Sequence, residues 1–474
     1  MAGRIETIIR GVAEKGAMAV AEFNRGRMAD SENPYLEGEN SPLPAELHFT
    51  DLEVVGRIPP ELDGTYARNG PNPLKPEHGA SYHWFLGDAM VHGVRLQGGK
   101  AHWYRNRWVR STRVSEALGE PLAPGPRSGR SDTANTNVFS VGGRRFAIVE
   151  AGAYPVELGP ELETVAHNPF DGTLKGPFSA HPHRDPETGL HHAICYEGGP
   201  DGAISHVVLG PDAKVHREEP IPLKEGPSIH DCAITERNIL VFDLPVVFSM
   251  ERAMKGHRFP YGWNPAHGSR VGVLGLDAPG DSIRWTAVAP CYVFHPANAH
   301  EEADGRITAD VVAHDSMFAD STMGPDSAAV RLERWTIDPA AGTVDRRVVD
   351  EAPQEFPRID ERLTGRKHRY VWTAATFTEQ KLMEMSGHLY RHDMETGARE
   401  ARDFGPGWSV GEFVHVPYGP GELDGWLMGL VNHHVANESA LVILDANDFL
   451  GAEVGRVRIP TRIPPGFHGN WLPA

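Results

Sequence analysis

Ser228-Ile229-His230-Asp231 leads directly through Cys232 into Ala233-Ile234-Thr235, and after Glu236-Arg237-Asn238 into the apolar run Ile239-Leu240-Val241-Phe242-Asp243-Leu244. The run is too short for a stable helix and rich in β-branched and aromatic residues, so it reads as a buried strand preceded by a loop. Similar runs recur outward from it in both directions: Tyr104–Val109, Arg145–Val149, His191–Tyr196, His206–Leu209, Arg270–Leu276, Val330–Ile337, Tyr370–Thr373, Leu427–Val431 and Ala440–Leu444. Gly, Pro, Asp and Asn clusters separate them, and no long helical period interrupts them. The expectation is an all-β fold, and a closed propeller of four-stranded blades accommodates this length without exposed sheet edges. No WD-type or kelch-type repeat is visible, so such a propeller would be irregular.

The chain has 474 residues, of which 51 are Gly and 39 Pro, and its formal charge of −18 argues against broad nucleic-acid binding. Three cysteines, Cys195, Cys232 and Cys291, have no CxxC spacing, so neither a disulfide framework nor a cysteine-rich zinc site is expected. A reducing, cytoplasmic setting fits. No apolar run reaches the length of a membrane-spanning helix. Residues 1–32 read as an N-terminal arm in which Arg4, Arg10, Lys15, Arg25 and Arg27 alternate with Ile5, Ile8, Ile9, Val12, Val20 and Phe23. This pattern describes either an amphipathic helix on a membrane surface or a helix or loose arm on the protein itself. Ser31–Pro44 reads as extended leader, and residues 33–474 as one β-propeller domain.

The chain holds 25 histidines, so position must sort ligands from the rest. Four stand at strand or loop boundaries beside Pro, Gly or apolar residues: His181 in Phe178-Ser179-Ala180-His181-Pro182-His183, His230, His295 in Tyr292-Val293-Phe294-His295-Pro296, and His468 in Pro465-Gly466-Phe467-His468-Gly469-Asn470-Trp471. They are separated by 49, 65 and 173 residues, too far for one helix but suited to separate strands converging on an axis. Four imidazoles without cysteine suit Fe, Zn, Cu or Ni. The alternative for each is a hydrogen-bonded turn or core residue. A ligating imidazole donates its second N–H to a carboxylate or carbonyl. Candidates for that role are Glu150, Glu355 and Glu412, each adjoining apolar residues; the alternative is an edge acid in solvent. His183 and His300 lie close to the candidate ligands, His415 reads as loop or surface, and Asp88 and Asp231 read as turn-fixing.

Arg68-Asn69-Gly70-Pro71-Asn72-Pro73, His83-Trp84-Phe85, Gly87-Asp88-Ala89-Met90-Val91-His92-Gly93, Tyr104-Arg105-Asn106-Arg107, Thr133-Ala134-Asn135-Thr136-Asn137 and all four histidine contexts occur in the order found in one family. From about Asn33 to the end, the chain resembles a carotenoid cleavage oxygenase, the group that includes apocarotenoid oxygenases and stilbene-cleaving dioxygenases. That resemblance implies a seven-bladed propeller with loops and helical segments forming a dome over an axial Fe(2+). It places the iron on His181, His230, His295 and His468, and makes Glu150, Glu355 and Glu412 the carboxylates that hold ligand imidazoles. It makes Thr136 a threonine that crowds an open iron position, and it implies no organic cofactor. The implied chemistry is addition of O₂ to an electron-rich alkene and its scission into two carbonyl products. The substrate is then an apolar conjugated alkene in an aromatic-lined tunnel, with Phe294 among the candidates for its wall alongside Tyr82, Trp84, Phe85, Trp103, Phe318 and Trp408.

Stilbene-cleaving members form an alternative reading. In them a Tyr and a Lys contact the phenol; Tyr104 matches the Tyr, whereas Asn137 stands at the position aligned with the Lys, which favours a polyene. A reading from another class is a non-catalytic propeller that serves as a binding module.

Overall fold

The computed structural model describes residues 16, 18–128, 131–200, 202–223, 226–327, 329–377, 384–433 and 435–474. Seven antiparallel sheets of four or five strands follow one another along the chain. Blade 1 comprises Asn137–Val141, Arg144–Ile148, Val156–Leu158 and Thr164–His167; blade 2 runs from His183–Arg184 to Val215–Pro222 and blade 3 from Cys232–Ile234 to Arg284–Ala287. Blade 4 runs from Tyr292–Glu301 to Thr343–Asp350, blade 5 from Gln354–Arg358 to Ala398–Asp403, and blade 6 from Trp408–Pro417 to Gly455–Ile459, with Val54–Gly56 added at its edge. Blade 7 joins both ends of the chain: Gly469–Pro473 pairs with Gly64–Pro71, which is followed by Ala89–Gln97, Lys100–Trp108 and His48–Phe49. All ten expected strands overlap observed ones; six fall within them, while Tyr104–Val109, Arg145–Val149, Ile239–Leu244 and Arg270–Leu276 each run one residue past the observed end. The fold is therefore a seven-bladed β-propeller.

Apolar clusters fill the spaces between neighbouring blades rather than one common centre. One joins Ala67, Val91 and Leu472 of blade 7 to Val138, Ala147 and Val156 of blade 1, and so lies at the seam where the ring closes. The tail is laced into this seam. Phe467 N donates to Asn69 O at 2.9 Å, Asn69 N to His468 O at 3.0 Å, and His468 N to Thr136 O at 3.1 Å. Gly466 passes so close to Gly70 that a Cβ on Gly70 would sit 2.7 Å from its Cα, which requires glycine there. Asn470 Nδ2 completes the seam by donating to Asn137 Oδ1 at 3.0 Å and Val138 O at 2.9 Å.

The leader is more ordered than an extended strand. It forms two 3₁₀ turns, Pro34–Leu36 and Gly38–Asn40, and buries Tyr35 against Trp84 with ring centroids 5.1 Å apart. Of the N-terminal arm, residues 18–25 are helical, while Arg4, Ile5, Ile8, Ile9, Arg10, Val12 and Lys15 lie outside the described residues. No helix among the described residues is long and apolar enough to cross a membrane.

Leu472 is buried in the closing cluster, so truncating it removes contacts on both sides of the seam. Leu472→Ala is expected to cost about 2–5 kcal/mol in urea unfolding, whereas Leu450→Ala, at a position 55% exposed, should change stability by no more than about 0.5 kcal/mol. Equal effects at the two positions would mean that the seam does not limit stability.

Candidate metal centre

The inner strands end in irregularities where the axis is reached. Register shifts fall between Val293 and Pro296, between Glu355 and Arg358, and between Val410 and Phe413. Such bulges turn a side chain out of its regular alternation, and these three bracket His295, Glu355 and Glu412. Phe356, directly after Glu355, has φ +55, a conformation costly for a bulky residue and found where function constrains the backbone. Its ring lies 5.4 Å from His295 and 5.3 Å from His468. His181, His230 and His468 precede the inner strands of blades 2, 3 and 7, and His295 lies within that of blade 4.

All four histidines are buried, and one ligand atom from each lies within 4.8 Å of the others. His230 Nε2 is 3.2 Å from both His181 Nε2 and His295 Nε2. The second nitrogens are held from outside. His295 Nδ1 donates to Glu355 Oε2 at 2.7 Å and His468 Nδ1 to Glu412 Oε1 at 3.0 Å, while His230 Nδ1 donates to Glu150 Oε2. In a neutral imidazole with its proton on Nδ1, Nε2 carries a lone pair. Lone pairs facing each other at 3.2 Å repel, and a cation between them removes the conflict. The donor set therefore fits a divalent metal.

The carboxylates are themselves fixed. Burial would raise the Glu355 carboxyl, but His295 and His314 outweigh it and hold it well below the usual range. His314 Nε2 donates to Glu355 Oε1 at 2.7 Å. Glu412 is likewise held down, against its burial, by Arg358 and His468, and it accepts from Gly469 N at 2.9 Å. Tyr196 OH and Ser228 Oγ complete Glu150. Burial, reinforced by His468 and the other two imidazoles, keeps His181 far below its ordinary value and therefore neutral.

His181 differs from the other three. Its Nδ1 lies 3.8 Å from Asp231 Oδ2, and Asp231 Oδ1 accepts from Cys232 N at 2.6 Å and from His183 Nε2 at 2.7 Å. His314, Arg358 and Tyr196 escaped sequence reasoning because each lies on a strand that looks like ordinary core or surface. The one available signal was a polar residue on an apolar strand, as His314 is in Ile307–His314.

A cavity of about 740 Å³ opens onto the centre. Its wall includes His230, His295, His468, Glu150 and Thr136, together with Trp84, Phe85, Phe294, Phe356 and Phe467. Tyr104 and Asn137 are not part of that wall. Tyr104 is wholly buried in the core of blade 7, bonded to His92 Nδ1 at 2.9 Å and stacked on Phe49. Asn137 spends its amide on Ala180 O at 2.9 Å and its carbonyl on Val138 N and Asn470 Nδ2, so it braces the seam. The neighbouring Asn135 does line the cavity. His415 is neither loop nor surface: it is buried in the strand Trp408–Pro417 and stacked on Trp372 at 5.3 Å. His300 sits at the far end of the strand that carries His295, away from the cluster.

Residues 40–473 match the family model described as RPE65: Retinal pigment epithelial membrane protein. A carotenoid cleavage oxygenase of Mycobacterium tuberculosis is 40% identical, with 94% of this chain and 98% of that protein covered. Among solved structures, the lignostilbene dioxygenase of Pseudomonas brassicacearum matches with a TM-score of 0.84 at 26% identity, covering 94% of this chain and 100% of that one. Cobalt-substituted Synechocystis ACO matches with a TM-score of 0.81 at 28% identity, covering 91% and 97%.

If the carboxylates set the direction of the imidazole lone pairs, Glu355→Gln should weaken binding of Co²⁺, followed by its absorbance, by about 10–100-fold. An unchanged affinity would reduce Glu355 to a packing residue.

Proposed function

Since the chain belongs to the family of the retinal pigment epithelial membrane protein and the carotenoid cleavage oxygenases, we propose that it splits a C=C double bond of a carotenoid or apocarotenoid with O₂. The products are two aldehydes, and the metal is Fe(2+) on His181, His230, His295 and His468. One observation carries this reading: four buried imidazoles, three of them locked by carboxylates, converge at the end of an aromatic cavity. Bound there, iron supplies the redox chemistry by which ground-state O₂ reacts with an alkene.

The residues of the chain do the rest. His230, His295 and His468 present the metal to the cavity, while His181 does not reach the cavity wall. Thr136 stands beside them and narrows the space in which oxygen and alkene meet. Phe85 and Phe294, with ring centroids 6.1 Å apart and both near His230, form apolar faces along which a flat conjugated chain can lie. They also exclude water from the reacting bond. Glu150, Glu355 and Glu412 keep their negative charge off the metal, which remains a dication in its own coordination sphere.

The wall contains no lysine among the described residues, which supports a polyene over the stilbenes, whose phenol a lysine contacts in the stilbene-cleaving members. Met18 and Met250, both on the wall, are 51% and 49% exposed, and Phe23 on the same arm is 61% exposed. This apolar rim supports peripheral contact with the membrane from which such a substrate would be drawn.

Incubation with β-apo-carotenals under ¹⁸O₂ should give two aldehyde products that carry the label, and iron should approach one per chain. His230→Ala and His295→Ala should each lose iron and turnover while keeping the β-sheet circular dichroism signal. Unlabelled products, or a geometric isomer formed without oxygen uptake, would overturn the reading. Removal of the chain from His468 onward should also abolish iron binding, and iron retained by that truncated protein would displace His468 from the ligand set.

A further inference from the structure

The N-terminal arm is part of the cavity. Met18, Ala21 and Arg25 all contribute to its wall. The arm is seated rather than draped: Asn24 Nδ2 donates to Met254 O at 2.7 Å, and Arg25 Nε donates to Gly256 O at 2.9 Å. Gly256 has φ +98, and a Cβ there would lie 2.8 Å from Arg25 N and 3.0 Å from Arg25 Cα, so the seat requires glycine. This arrangement delivers a guanidinium to a cavity whose inner walls are aromatic.

Several of the charges around it are paired with one another. Arg258, also on the wall, donates from Nη1 to Glu77 Oε2 at 2.9 Å, but the buried Glu77 is shared with Arg113. Asp88 lies 3.5 Å from Arg113 and accepts from Leu74 N at 3.0 Å, while Asp132 is engaged by Arg127 and Thr112. Among the described residues no carboxylate lies within ion-pair distance of Arg25. Its pKa is lowered by burial and by Arg258, and Glu22 opposes this less strongly. Three guanidinium groups, Arg25, Arg113 and Arg258, thus share a wall with Asp88, Glu116, Asp132, Glu150 and Glu197; Arg113 and Arg258 have carboxylate partners, and Arg25, which has none among the described residues, is left for an incoming anion.

We infer that Arg25 and Arg258 form a subsite for the oxygenated, anionic end of the substrate, so that the cavity selects polyenes ending in a carboxylate. This rests on the polyene reading above. A rigid apolar polyene would slide along an aromatic wall with little register, whereas a charge held at one point fixes which double bond reaches the metal. The arm then does two things at once: its exposed face carries Met18 and Phe23, and its inner face carries Arg25.

The test compares a β-apo-carotenoic acid with its methyl ester, of equal chain length but uncharged, in neutral detergent free of anionic lipid. Both kcat/KM and the binding constant from tryptophan quenching are measured. The ratio of acid to ester should fall about tenfold in Arg25→Met and in Arg258→Met, as loss of a charge-assisted bond implies. It should invert in Arg25→Glu and be largely restored in Arg25→Lys. A ratio unchanged in both Met variants would overturn the inference while leaving the oxygenase reading intact. Binding that prefers the acid through Arg25, without cleavage of either compound, would uphold the subsite and overturn the oxygenase reading.

Discussion

Four imidazole lone pairs held toward one point are a repulsive arrangement, and everything else in this molecule serves to hold them there. The tautomer that exposes Nε2 is enforced from outside, by Glu150 on His230, Glu355 on His295 and Glu412 on His468. Those carboxylates are in turn fixed by Tyr196, His314, Gly469 and Arg358. Each layer is buried, so a displaced member would leave an unpaired polar group in low dielectric. A propeller supplies the rigidity this demands, because each of the four histidines arrives on a different blade and every blade is wedged between two others. The ring is only as rigid as its closure, which is why His468 and the closing strand Gly469–Pro473 are adjacent in the chain.

The strands that were legible in the sequence are those with two buried faces. His191–Tyr196 and Ile239–Leu244 read as continuous apolar runs because both their faces pack against neighbouring blades, and the structure buries every residue of His191–Tyr196. The outer strands were not legible. Thr343–Asp350 and Ala398–Asp403 carry Arg, Asp and Glu at half or more of their positions and form strands because a partner strand dictates their hydrogen bonding. The inner strands were hidden for a different reason. Gln354–Arg358 and Trp408–Pro417 contain a buried acid and a register shift, and both features erase the alternation that marks a strand.

The candidate site was legible where a local context singled out a residue, and illegible where only three-dimensional pairing did so. His181, His230, His295 and His468 each stand beside Pro, Gly or an apolar residue at the edge of a strand, and the structure brings all four together. Glu355 could be chosen because Phe356 and Pro357 follow it; His314, which completes it from another strand of the adjoining sheet, had no such mark. Tyr104 and Asn137 show the limit of transferring a role by motif. Both lie in segments shared with the family, but the backbone directs Tyr104 into the blade core and Asn137 into the seam.

Arg358 resolves the electrostatics of the whole assembly. Glu150, Glu355 and Glu412 surround the histidines with three negative charges, those of Glu355 and Glu412 fully buried, more than a dication at the centre would neutralise. Arg358 is half-buried in the same region, 3.5 Å from Glu412, and donates to Asn470 Oδ1 at 2.6 Å. Burial would lower its pKa, but Glu412 and the neighbouring acids outweigh that and hold the guanidinium charged. With a dication in place, the formal charges of the three carboxylates, the arginine and the metal cancel. The nearby Asp231 is matched separately by His183, whose pKa Asp231 raises against the effect of burial. A buried cluster that is neutral as a whole avoids most of the desolvation cost its members would incur alone, and it leaves the aromatic cavity beside it free of any strong unbalanced field. An apolar alkene can then approach that centre without displacing counter-ions.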